Sequence, residues 1–79
     1  MRILEECEKK FGTVQLNGKK IILLQLPYMD YVLGTSEHYQ VFGEDEDGGE
    51  YMIYWKILYH NVDREDACDW GVYKVIKTA

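Results

Sequence analysis

Four consecutive acids, Glu44-Asp45-Glu46-Asp47, run into Gly48-Gly49 and then into a stretch dense with aromatic and branched residues from Tyr51 to Leu58. Carboxylates at this density suggest a cation site, an electrostatic docking surface, or a solvated turn. A calcium loop needs oxygen ligands at alternate positions, a glycine at the sixth and a bidentate acid at the twelfth. With Gly49 in the sixth place, Gly48 falls at the fifth and Trp55 at the twelfth; with Gly48 there, Gly43 opens the loop and Tyr54 closes it. Neither register binds calcium. Asp47-Gly48 between two strand-like runs instead marks a hairpin turn, because glycine accepts positive φ freely.

The remaining reactive residue types are scattered. His38 and His60 each stand alone, with no histidine or cysteine at metal-ligand spacing beside them. Cys7 and Cys68 lie near opposite ends of the chain, and neither has a partner at the spacing of a zinc knuckle or a redox pair. Cys7 falls on an apolar helical stripe and reads as a small core residue. Cys68 sits among Asp66 and Asp69, whose charge would raise its thiol pKa and make it a poor nucleophile. There is no glycine-rich phosphate loop and no nucleophile elbow in the sequence. The residues name no catalytic, metal or cofactor site, so the expectation is a protein that is not an enzyme and uses no cofactor.

A chain of 79 residues fits one domain, 1–79, without room for a second core. Seven Tyr, two Trp and two Phe supply large buried areas and argue for a folded domain. The net charge of −5 is unevenly spread: residues 1–29 carry five Lys/Arg against three Glu, while residues 30–69 carry eleven Asp/Glu against two Lys/Arg. So acidic a middle segment repels a phosphate backbone, which argues against direct nucleic-acid binding. The first residues, MRILEECEKKF, have no apolar core like that of a signal peptide. The apolar run Ile21-Ile22-Leu23-Leu24 is too short to span a membrane. A cytoplasmic protein with reduced thiols is expected.

Several elements must position these groups. Residues 2–11 carry Ile3, Leu4, Cys7 and Phe11 at helical spacing, with Glu5, Glu6 and Glu8 early, Lys9 and Lys10 late, and Gly12 as the cap. Residues 13–16 and 19–26 read as strands joined by Asn17-Gly18, the strongest two-residue hairpin signal. The second of these is apolar without alternation and should be covered on both faces, until Pro27 ends its pairing. Residues 28–36 fit a strand extension, a loop or a helical turn. Residues 37–43 and 50–59 form the arms of a second hairpin. On the latter, Tyr51, Ile53, Trp55, Ile57 and Tyr59 share one face, and Glu50, Met52, Tyr54, Lys56 and Leu58 the other. Residues 63–69 read as a helical turn with Asp63 at the N-cap, and residues 70–77 as a last strand. The expected fold is α+β, a short N-terminal helix packed on a mostly antiparallel sheet of four or five strands.

One short helix covers only one face of such a sheet, so the patch around Met52, Tyr54 and Leu58 needs a cover: the 28–36 segment, a second subunit or a partner protein. The stretch from Tyr39 to Trp70 resembles small acidic bacterial proteins of unknown function, often from mobile elements or phages. The likeness rests on the aromatic strand after an acid-glycine turn (Asp47, Gly48, Tyr51, Trp55) and on Asp66-Ala67-Cys68-Asp69-Trp70. It implies a non-enzymatic bacterial accessory protein. Two functional expectations follow. One is a small protein-binding or regulatory module, self-association included. The other is an acidic mimic of nucleic acid that occupies a basic partner protein. The candidate partner-binding residues are Glu44, Asp45, Glu46, Asp47, Glu50, Met52, Tyr54, Asp63, Asp66 and Asp69.

Overall fold

A computed structural model describes residues 3–29 and 38–78 of the chain. Helix α1 spans Ile3–Phe11, with Glu5 and Glu6 in its first turn and Lys9 and Lys10 in its last, the order that the helix dipole favours. It ends where the Gly12 N–H donates to the Glu8 carbonyl at 3.1 Å. Strands β1 (Thr13–Leu16) and β2 (Lys19–Leu23) are joined by Asn17 at φ 52° and Gly18 at φ 80°. Two successive positive φ values make the turn whose twist suits a hairpin. The further elements are β3 (Tyr28–Met29), β4 (His38–Asp45), β5 (Glu50–Lys56), α2 (Arg64–Ala67) and β6 (Lys74–Lys77).

The fold is α+β, as the periodicities indicate. Among the described residues all strand pairs are antiparallel, in the order β1-β2-β4-β5-β6, with β3 paired to β4 as a sixth, two-residue strand. The long strand β4 thus holds two partners in turn along one edge. Between the pairs Leu23↔Gly43 and Tyr28↔Gln40, residues 24–27 face only residues 41–42. The surplus backbone leaves the ladder after Leu24 donates to the Phe42 carbonyl at 3.1 Å, and Pro27 has no N–H to rejoin it. The expected strand 19–26 is shorter for that reason. Of the ambiguous stretch 28–36, the first two residues are β3 and the rest lie outside the described residues.

The inner face of the sheet is the core. Ile21, Val41 and Ile53 are fully buried at its centre, with Tyr39, Tyr51 and Trp55 around them. The chain after β5 folds back beneath this face. Leu58 and Tyr59 both donate to the Ala67 carbonyl, and the Trp70 ring packs 5.1 Å from Trp55 and 5.4 Å from Tyr39. Both indole N–H groups are satisfied by backbone: Trp55 donates to Trp70 and Trp70 to Glu65, each at 3.2 Å. Two expectations shift here. Tyr59 is 63% exposed, because the chain turns away after Ile57. Residues 70–73 form a turn rather than strand: Asp69 receives Val72 N–H on its carbonyl and Gly71 N–H on its carboxylate. Asp63 does stand at the N-cap of α2, but its side chain makes no capping bond.

On the outer face, α1 lies over β2. Cys7 is buried with its Sγ 3.9 Å from the Leu24 carbonyl, Ile22 is 3% exposed, and Glu8 pairs with Lys20 at 3.1 Å. Strand β2 is therefore covered on both sides, which its unbroken apolar run requires.

The sheet curls until its two ends meet. The Tyr73 hydroxyl, just before β6, accepts the Gln15 N–H at 2.8 Å and donates to the Gln15 carbonyl at 3.1 Å. One side chain thereby occupies both outward backbone groups of Gln15 on the edge strand β1, where an open ladder invites further pairing. Tyr73→Phe keeps the ring beside Trp55 and removes both bonds. We expect a loss of about 1 kcal/mol in denaturant unfolding and faster hydrogen exchange at the Gln15 amide, with exchange in β5 changed only by the global destabilisation.

Candidate functional site

The four-acid run divides as soon as it folds. Alternation along β4 turns Asp45 to the inner face, where it is 2% exposed. Its carboxylate accepts the N–H of Asp47 at 2.9 Å, the N–H of Gly49 at 2.8 Å and the Tyr51 hydroxyl at 2.6 Å. The Lys19 ammonium stands 3.4 Å away. A side chain at position 49 would put its Cβ 2.6 Å from Asp45 Oδ2, so only glycine lets the backbone approach this closely. The Tyr51 hydroxyl, then the Gly49 and Asp47 amides and Lys19, hold the Asp45 carboxyl well below its ordinary range, against the cost of burial. The same contacts raise the pKa values of Lys19 and Tyr51, each chiefly through its hydrogen bond with Asp45.

Asp45 thus leaves the set of candidate docking carboxylates, since a partner cannot reach it. Reading the four acids as one solvated run overlooked the strand period, which reaches into the run as far as Asp45. Glu46 and Asp47 remain exposed on the turn, although Lys20 and Lys19 each lie 3.7 Å from one of them. Glu44 and Glu50 are paired across β4 and β5 on the outer face. Asp63, Asp66 and Asp69 are exposed, but they sit on α2 and the turn after it, beyond the opposite end of β5. The fold does not bring the candidate acids onto one stripe.

It does bring apolar residues together. On the outer face Phe42 is paired with Met52, and Met52 with Ile76, so three strands contribute one transverse row. Phe42 is 49% exposed and Ile76 43%, with Met52 half-buried between them. Tyr54 lies in the next row, between Gln40 and Lys74. Beyond it, His38 pairs with Lys56 across the strands, and the His38 and Tyr54 rings meet edge to face at 6.2 Å. Met52 and Tyr54 were legible as outer-face residues; Phe42 was not singled out, and Ile76 and Val72, which the reading of a last strand makes available to the core, are exposed instead. For Phe42 and Ile76 the signal was present in their phase, one residue off the buried Val41 and the half-buried Val75.

Other sites offer less. A recess of about 330 Å³ opens beside Trp55 and Trp70, with Phe11, Pro27, Arg64 and Glu65 at its walls. Its indole N–H groups are already committed to backbone carbonyls, and Arg64 donates to the Pro27 carbonyl at 3.4 Å. No cluster of three metal-ligating side chains occurs among the described residues. Cys7 and Cys68 are free and buried, and burial pushes the Cys68 thiol pKa up. The direction matches the expectation for Cys68, though the cause is desolvation rather than the neighbouring aspartates. No helix of the described residues is long and apolar enough to cross a membrane.

A carboxylate whose folded pKa is depressed stabilises the fold above its unfolded value and loses that contribution as pH falls from there through the lower folded value. For Asp45, whose ordinary value is 3.8, the contribution is full at neutral pH and declines below about pH 4. Asp45→Asn should lower Tm at pH 7 and shrink the drop in Tm between pH 7 and pH 3. An unchanged drop in thermal unfolding would assign acid lability to other carboxylates.

Compared with known protein families, curated proteins and solved structures, the chain matches none.

Proposed function

We propose that this chain is a small protein-binding or regulatory module without catalytic activity, and that it binds through the outer face of its sheet. The observation that carries the reading is the exposed transverse row Phe42–Met52–Ile76. A contiguous apolar row across three strands differs from scattered surface residues, which need no explanation. Helix α1 is spent on β2 and leaves this row uncovered. The flanking Tyr54 adds an amphipathic ring of the kind enriched at interfaces. Two buried free thiols fit a reducing compartment, so the reading includes the cytoplasm, and the resemblance to small acidic bacterial proteins belongs to it as well.

The nucleic-acid-mimic reading has less support. It needs carboxylates spaced along one groove-shaped surface, whereas Asp45 is internal, Glu46 and Asp47 lie near lysines, and Asp63, Asp66 and Asp69 occupy the other end of the fold.

A photo-crosslinking residue in place of Phe42, compared in cells with one in place of the exposed Val62, tests the surface. Specific adducts from position 42 and none from 62 are expected. Equal labelling, or none at 42, would remove the outer face as the binding surface. Phe42→Glu should abolish an interaction read by other means while changing unfolding free energy by no more than about 0.5 kcal/mol, since the ring is half in water.

A further inference from the structure

The outer face is polarised along its strands. At one margin Glu44 and Glu50 are paired across β4 and β5. At the other stand Lys74, paired with Tyr54, and Lys56, paired with His38. The apolar row runs between the two margins and perpendicular to the strands. His38, Tyr54, Lys56, Val72 and Lys74 line one continuous shallow recess at the basic margin, so these groups are neighbours in space as well as in register.

This arrangement is self-complementary. Consider two copies stacked outer face to outer face about a two-fold axis that runs along the apolar row. The rotation leaves each row residue over its own counterpart and reverses the strand direction. The Glu44–Glu50 margin of one copy then lies over the Lys56–Lys74 margin of the other, twice over by symmetry. Glu50 of the first copy comes down beside the Tyr54–Lys74 pair of the second. A two-fold axis along the strands would instead stack acids on acids, at a repulsive cost. We propose that the occupant of the outer face is a second copy of this chain, in an isologous dimer whose axis follows the row Phe42–Met52–Ile76.

The inference rests on the protein-binding reading and names the partner. Area sets the strength. Three strand positions at about 4.8 Å and seven residues at about 3.3 Å give a footprint of roughly 15 by 20 Å. That falls short of the roughly 800 Å² per partner of a standard stable interface. The dimer is therefore reversible and appears as concentration rises. Because the sheet curls around its inner-face core, the outer face is convex, and the contact is confined to the row and its two margins on β4, β5 and β6.

Sedimentation velocity of the full chain over a concentration series tests this. The mass should rise from 9.3 kDa toward that of two chains. Glu50→Lys and Lys74→Glu should each weaken association roughly tenfold at low salt, because each places like charges together at two symmetric positions. An equimolar mixture of the two variants should recover association, since each then meets its opposite. Phe42→Glu should remain monomeric. A wild type that stays monomeric to millimolar concentration overturns the dimer, as does a mixture no better than the separate variants. Foreign adducts from position 42 with a monomeric wild type would end the self-association proposal and leave the protein-binding reading standing. Absence of both would end the two together.

Discussion

The β4–β5 register is the constraint on which the rest of this molecule depends, and a buried carboxylate pins it. Asp45 gathers two loop amides, a tyrosine hydroxyl and a lysine around one point at the end of β4. Tyr51, its strongest partner, sits on β5 opposite Gly43, so the hydrogen bond is also a statement of register. A slip of one residue would carry Ile53 and Trp55 into water and drive Met52 and Tyr54 into the core. The acidic turn is thus a structural lock with a solvated rim, and the composition of both sheet faces follows from it.

From that register the chain has to cover two faces with little material. The inner face is closed by curling the sheet and by folding the segment after β5 beneath Trp55. Tyr73 joins the two ends and satisfies the backbone of β1 there. That leaves α1 for the outer face, and its nine residues are spent on β2. The exposed row across β4, β5 and β6 is what remains once these demands are met.

The same geometry separates charge. The acidic margin at the hairpin end and the basic margin at the β6 start lie toward opposite ends of the same paired strands. Net charge alone, −5, says nothing of this division. A surface with an apolar middle and opposite margins discriminates orientation as well as partner, which is how weak interfaces acquire specificity without large area.

Much of the fold could be read from the chain because its signals are local. The order of charges in α1 fixes its direction, Asn17-Gly18 forces a tight hairpin, and the alternation from Tyr51 to Ile57 assigns two faces. The unbroken Ile21-Ile22-Leu23 run required cover on both sides, and the structure supplies it. Residues 24–26 were misjudged as strand because a bulge is set by the partner strand's length and not by its own residues. Asp45 was misjudged as a surface acid because its burial depends on Tyr51, Gly49 and Lys19 arriving from three different segments. The sequence by itself determined which residues alternate, where the turns fall and that one helix could not cover the sheet. Only the tertiary structure decided which acids remained on the surface and which apolar residues lined up across strands. Those outcomes depend on register and on long-range hydrogen bonds, which no local pattern encodes.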